Sequence, residues 1–437
     1  MAWLTCQVAD AQTGMDRTAA QIAASMGIGR NLGNTMEAGD NRNNFTNKGG
    51  LGAEMSWQDT RTTQELIRYV KQQGFGNIRI PCAWVMGHIS KAEGSDYTID
   101  AAWMARVREL VDFCIKEELY VVINQHWDGG WLENHISDVG TAAVEKNKAI
   151  LTSIWTQIAT EFRDYGDHLL FAGLNEPNFD TNGDVITQIN NLVAYEQTFI
   201  DVVRATGGNS LGRVLIIQGP GTNIDNTCSY LTQQRMPVDP ASERLMVEVH
   251  YYDPWQFWGM EKDESWGKVF YYWGSGNHQN GSQHNATWGE EDYMRAQLNK
   301  MKTQFADKGY PVYIGEFGAN WRTISGAGES QAKHDASIRL HYKTFCKTAL
   351  EMGIVPVVWD TNYRGRPSMT IINRKDLSIY NQLMMDGIRD GVAAGVDQPV
   401  VRQQTPTEQT FSLQGMPVEP EHMQHGVYIA NGKKHLK

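Results

Sequence analysis

Two short runs, Leu174-Asn175-Glu176-Pro177 and Ile314-Gly315-Glu316-Phe317, each set a single glutamate at the end of an apolar stretch. A carboxylate at the C-terminal end of a buried strand is placed for chemistry rather than for packing. The two glutamates lie 140 positions apart, so only a closed fold that returns the chain to one face can bring them together. Two converging carboxylates suit cleavage of a glycosidic bond. A retaining enzyme needs one acid to protonate the leaving oxygen and, roughly 5 Å away, one carboxylate to attack the anomeric carbon. The pair must then differ in pKa: an arginine beside one keeps it ionised, and a less polar site beside the other pushes it up. Arg79, in the run IRIP, is the arginine expected beneath Glu316.

Other expected strand ends carry His126, His250, Tyr252 and Trp359-Asp360. Any one His or Arg in such a place is more often a satisfied structural group. Their coincidence at one register on six strands is harder to explain by packing. A metal-dependent hydrolase using His126, Asp128 and His250 is a weaker reading, because no HxH or HExxH spacing occurs; neither metal nor organic cofactor is expected. A catalytically silent sugar-binding module would be expected to have lost a glutamate or Tyr252, and all three residues are present.

The elements that must position these groups read as alternating strands and helices. Eight buried strands are expected at 28–34, 77–82, 120–126, 169–176, 213–219, 246–252, 312–318 and 355–361, with helical periodicity between most of them. Trp103, Val107, Leu110, Val111, Cys114 and Ile115 recur at steps of three and four, and Thr62 with Glu65 has capping-box spacing. Such alternation demands parallel pairing, and eight units close into a (β/α)8 barrel, a TIM barrel, whose reactive face gathers the strand C-termini. The connection after the fifth strand reads as irregular. The 37 residues from 253 to 289, rich in Trp, Tyr, Gly, His and Asn, read as a functional loop. The barrel is expected over 1–394, and 395–437 reads as an appendage with extended stretches at 410–418 and 426–430.

Composition agrees. Net charge is −11 with no Lys/Arg cluster, which argues against nucleic acid. Fourteen tryptophans supply the residue that best stacks on sugar rings, and the five cysteines lack any metal or CxxC spacing. No run of 18 apolar residues is present, so no membrane insertion is expected.

The runs GRNLGNTMEA, NIRIPCAW, YVVINQHWDGGWLEN, LLFAGLNEPN, VEVHYYDPWQFW, PVYIGEFGA and VPVVWDTN, from about 28 to 362, strongly resemble glycoside hydrolase family 5, the cellulase family. That resemblance implies Glu176 as acid/base and Glu316 as nucleophile, Asn175 on the sugar 2-hydroxyl, and Tyr252 and Arg79 on the nucleophile. It implies His126 and His250 as orienting groups and Trp359 as the sugar platform, with Asn34, Trp127, Trp131 and Trp255 as further supporting contacts. The family's endoglucanases often carry His-His where this chain has His126-Trp127. Trp131, Trp255, Trp258, Trp273, Trp288 and Trp321 fall in the loops, each as suited to loop core as to sugar stacking. The implied activity is a retaining endo-β-1,4-glucanase cleaving cellulose and mixed-linkage β-glucan, with xyloglucan, xylan and mannan as open alternatives. NLGNT with HYYDPW resembles the subfamily of broad β-glucan specificity, and a monomer is expected.

The first residues lack a basic n-region and a continuous apolar h-region, so either the protein is not exported or its leader has been removed. The tail FSLQGMPVEPEHMQHGVYIANGKKHLK resembles the terminal strands of sorting domains in exported polysaccharide-degrading enzymes of gut-type bacteria. It favours a secreted or cell-surface bacterial enzyme.

Overall fold

A computed structural model describes residues 15–39 and 50–396, and beyond them only the strands of the C-terminal segment. Eight parallel strands close into a barrel: β1 (Gly29–Asn31), β2 (Asn77–Ile80), β3 (Tyr120–Asn124), β4 (Leu169–Ala172), β5 (Leu215–Gln218), β6 (Leu245–Tyr251), β7 (Val312–Phe317) and β8 (Val355–Val358). All eight lie within the ranges expected from sequence, apart from β6, which starts one residue early. β1 completes the closure by pairing with both β2 and β8.

Each strand is buried on both faces, and the two faces differ. Outward side chains such as Ile78, Val121, Phe171, Ile217, Val249 and Ile314 pack against the surrounding helices in one large apolar layer. Inward side chains at the strand starts form a second, separate core: Tyr120, Val122, Leu170, Ile216, Met246, Tyr313 and Val355. A helix at Ala19–Met26 closes this lower mouth, burying Ile22 and Met26 in the inner core. Such side chains contribute about 1.5–3 kcal/mol each when fully buried. Its start is fixed by Thr18 and Gln21, each side chain bonding the other's backbone amide.

Further along four of the strands the inward positions turn polar. Asn31, Arg79, Gln218 and Glu248 are all buried there. Period-two alternation therefore carries Met246, Glu248 and His250 along one face of β6, with Tyr252 just past its end. On β7 the register slips: Val249 pairs with Ile314 but His250 pairs with Glu316. This bulge lets Gly315 and Glu316 both face the barrel axis. Gly315 lies so close to Glu248 that a Cβ there would fall 1.8 Å from Oε1.

The connections follow the expected alternation with local differences. The helix Ala101–Lys116 buries Trp103, Val107, Leu110, Val111 and Cys114 and is capped by Asp100. The helix Gln64–Gln72 is capped by Thr63 rather than Thr62, whose amide is instead held by Glu54 Oε1 at 2.8 Å. A hairpin, Ile89–Glu93 with Asp96–Ile99, follows β2 and was not foreseen. After β5 come a tight turn and only a seven-residue helix, Ile224–Tyr230, the irregularity expected there. No helix among the described residues is long and apolar enough to cross a membrane.

The chain divides into two compact units, 1–396 and 397–437. The second contains a four-stranded antiparallel sheet in the order Pro417–Val418, Thr410–Ser412, Val427–Ala430, Lys433–Leu436. The basic end read as a tail after the last extended stretch is itself a strand, paired with Val427–Ala430 in a hairpin.

Gly315→Ala is expected to destabilise the barrel by about 1–3 kcal/mol, the usual cost of overpacking. Equilibrium unfolding in denaturant measures it; a variant as stable as the parent would show that the Glu248 carboxylate is free to move aside.

Candidate active site

Beyond Ala172 the chain leaves the sheet, and the turn that carries Glu176 is held from outside. The amide of Leu174 donates to Gln218 Oε1 (2.7 Å), that of Glu176 to Glu133 Oε1 (2.8 Å) and that of Asn178 to the Glu133 carbonyl (3.0 Å). The Pro177 carbonyl accepts from the amide of Gly221 at 2.8 Å. With its backbone polar groups satisfied in this way, the turn projects the Glu176 side chain, 46% exposed, into the cleft.

Glu316 stands opposite and is nearly enclosed. Its Oε1 accepts from Arg79 Nη1 at 2.9 Å and its Oε2 from the Tyr252 hydroxyl at 2.9 Å. Oxygens of Glu176 and Glu316 and a ring nitrogen of His250 all lie within 4.8 Å of one another. His250 Nδ1 is 2.6 Å from Glu176 Oε1 and 3.7 Å from Glu316 Oε2, and Nε2 is 3.3 Å from Glu248 Oε1.

Arg79, fully buried, joins these groups. Its guanidinium also pairs with Glu248 Oε1 (3.0 Å) and donates to Asn31 Oδ1 (3.1 Å) and Asn175 Oδ1 (2.8 Å). Glu248 and Glu133 were not singled out from sequence. Glu248 was findable, since it stands two residues before His250 on a strand; Glu133 lies in an irregular turn and carried no periodic signal.

Burial is the largest influence on every acid here. It raises Glu176, but the hydrogen bond and charge of His250, with the charge of Arg79, outweigh it and hold this carboxyl below its ordinary value. For Glu316 burial prevails, aided by the nearby Glu176 charge, over His250, Arg79 and Tyr252, and the carboxyl sits above its ordinary value. In the empty site this order is the reverse of the one expected from Arg79 alone. Burial lowers His250, yet Glu316, Glu176 and Glu248 together raise it to about 10. Glu176, His250 and Glu316 also have the spacing of cation ligands.

The remaining expected residues sort clearly. Trp359 lies at the mouth after β8, its amide bonded to the Phe317 carbonyl at 2.9 Å and its ring parallel to His126 at 6.0 Å between centroids. Burial, aided by the charges of Arg79 and His250, holds His126 well below its ordinary pKa, so its ring is neutral. Asp360 is structural: it pairs with Arg30 (3.1 Å) and accepts the amides of Ile371 and Ile372. Asp128 is structural too, accepting the amides of Val85 and Met86 and the indole N–H of Trp131, which takes one of the three groups named in the metal reading. Asn34 adopts a left-handed φ of 59° in the loop after β1, where its amide donates to Glu37.

Among the aromatics, Trp131 is a correction. It is 8% exposed, tied to Asp128, and lines a separate hollow beside the hairpin after β2 rather than the carboxylate cluster. Trp273 is fully buried loop core. Trp321 is covered by the Arg366 guanidinium at 3.5 Å. Trp127 is half-buried, with its ring beside Gly130. Trp258 stacks on Tyr252 at 4.3 Å, and the exposed Trp255 meets Trp258 edge-on. With Glu176, Asn223, Asp225 and Asp253 these two line a hollow of about 220 Å³ on one side of the glutamates.

Comparison with known proteins fits this geometry. The family profile "Cellulase (glycosyl hydrolase family 5)" matches residues 39–365. Endoglucanase A of Paenibacillus barcinonensis is 35% identical over 392 residues, covering 86% of this chain and 90% of that one. A xyloglucan-specific endo-β-1,4-glucanase of Bacteroides ovatus is 37% identical, covering 82% and 68%. Among solved structures, the xyloglucan-specific β-1,4-glucanase XEG5B from a ruminal metagenomic library, in complex with XXLG, superposes with a TM-score of 0.77 at 44% identity, over 87% of this chain and 97% of that one. A broad-specificity endoglucanase from Ruminococcus champanellensis with bound cellotriose gives 0.71 at 28%, over 86% and 99%. A barrel with two facing glutamates at its C-terminal mouth and a profile match over most of its length place this chain in glycoside hydrolase family 5, as a glycoside hydrolase.

Proposed function

We propose that the chain is a retaining endo-β-1,4-glucanase working by double displacement. The observation that carries this reading is the approach of Glu176 and Glu316 to within 4.8 Å, close to the separation of retaining enzymes and well short of the roughly 6.5–9.5 Å of inverting ones. In the first step a Glu316 oxygen attacks the anomeric carbon while the bond to the leaving oxygen breaks and Glu176 gives that oxygen its proton. In the second, Glu176 takes a proton from water, the water oxygen attacks the same carbon, and the ester to Glu316 breaks. Two inversions give net retention.

The roles follow from support rather than from the resting proton. Arg79 and Tyr252 hold both oxygens of Glu316 in place and favour its anionic form in the transition state. The exposed Glu176 borders open space and loses water when a sugar covers it, which raises its pKa toward that of an acid. Arg79 and His250 supply two positive charges against the carboxylates of Glu176, Glu248 and Glu316, so one proton shared by the reacting pair leaves the cluster neutral.

Substrate choice is the finer part of the proposal. A β-1,4-glucan backbone fits the aromatic mouth, with cellulose and mixed-linkage glucan as polymers. Xyloglucan is the second reading, favoured by the 44% identity to a xyloglucan-specific enzyme. The sequence signals at the tail support a secreted or surface-held bacterial enzyme, with residues 1–394 catalytic and the remainder a sorting appendage; a monomer is the default for an enzyme acting on an extended polymer.

Reducing-end release from carboxymethyl-cellulose, barley β-glucan, xyloglucan, xylan and glucomannan tests the reading. Glucan or xyloglucan is expected to lead, and Glu316→Ala to lose at least about a thousandfold, restored in part by azide as an external nucleophile. A variant retaining most of the activity would remove Glu316 from the mechanism.

A pH dependence of stability follows from His250. Its folded pKa, about 10, lies above the ordinary 6.5, so the stabilisation it lends is complete below pH 6.5 and is lost as pH rises through about 10. Thermal unfolding midpoints should fall across that window for the parent and fall less for His250→Ala; parallel curves would contradict the assignment.

A further inference from the structure

Glu133 touches the acid/base from behind and has no place in the mechanism above. It sits at 1% exposure in the single turn Glu133–His135 of the loop after β3. Its carboxylate accepts the backbone amide of Glu176 itself, and its carbonyl accepts the amide of Asn178. The neighbouring Asn175 is held in turn by Arg79, which donates to its side-chain Oδ1 at 2.8 Å. One buried acid thus clamps both ends of the Glu176–Asn178 turn and places a titratable group under the Glu176 carboxyl.

We propose that Glu133 is a positioning residue for proton transfer by Glu176: it fixes the turn that aims the acid at the leaving oxygen. This rests on the reading of Glu176 as the acid/base. Burial, reinforced by the Glu176 charge and opposed by the Glu176 amide, Asn175 and His250, raises Glu133 to about 8. The charged groups bearing on it are therefore Glu176 and His250; His135 on its own turn is engaged by Asp138 at 3.0 Å. Below about pH 8 Glu133 is neutral. It therefore holds the Glu176 amide as a neutral acid throughout the range in which Glu176 titrates.

Aryl β-cellobiosides separate this role from a merely structural one, because a good leaving group departs without protonation. Glu133→Ala, which removes the clamp, is expected to lose tenfold or more in kcat/KM on a phenyl leaving group, a part of the about 10²–10⁴ that general acid catalysis supplies. It should lose much less on a 2,4-dinitrophenyl group. Glu133→Gln keeps an oxygen for the Glu176 amide and a neutral side chain, so its loss on phenyl cellobioside should be much smaller than that of Glu133→Ala. Equal losses on both leaving groups in Glu133→Ala, or a loss in a folded Glu133→Gln protein as large as in Glu133→Ala, would overturn the proposal. Glu176→Ala is run in parallel: a loss there that ignores the leaving group would overturn the acid/base reading itself, and this inference with it.

Discussion

The guanidinium of Arg79, cut off from water inside the barrel, is the constraint on which the mouth of this fold depends. An arginine in that position is tolerated only where its charge and donors are matched. Glu248, Glu316, Asn31 and Asn175 match them from β6, β7, β1 and the turn after β4. The same contacts that neutralise the charge also register four segments of the barrel against each other, so the requirement for pairing becomes a requirement for geometry. Removing one partner of such a buried set typically costs about 3–5 kcal/mol, because the other charge is left uncompensated.

Around that centre the molecule separates what is apolar from what is ionic by height. The lower inner core, sealed by the helix Ala19–Met26, is built from Tyr120, Val122, Leu170 and Met246, and the charged side chains of the mouth lie above it. The low-dielectric floor strengthens every interaction above it. It is also why burial dominates the titration of the acids, and why His250 stays charged at neutral pH between three carboxylates.

Much of this was legible in the sequence. Strands buried on both faces read as continuous apolar runs whichever side faces the axis, so the eight strands and the strand-end residues could be located. For the same reason the runs concealed which alternate positions were inward, and Glu248 passed unnoticed inside VEVHYY although it stands in phase with His250 and Tyr252. The slip at Gly315 is invisible to a period-two rule, yet it is what lets Glu316 face inward beside a glycine that makes room for Glu248. Tryptophans gave the least reliable signal. Composition cannot tell Trp131 and Trp273, which fill loops, from Trp255 and Trp258, which border the cleft. Nor does spacing report the charge balance that leaves Glu176 below and Glu316 above their ordinary values in the empty site.

The central claim is that Glu316 forms a bond to the sugar. An activated 2-deoxy-2-fluoro-cellobioside slows both steps but the second far more, so a retaining enzyme accumulates the ester. Incubation followed by peptide mass spectrometry should show one added glycosyl group per chain, on the peptide carrying Ile314-Gly315-Glu316-Phe317 and mapping to Glu316. A label on any other residue, or time-dependent turnover of the reagent with inverted product and no adduct, would contradict the account.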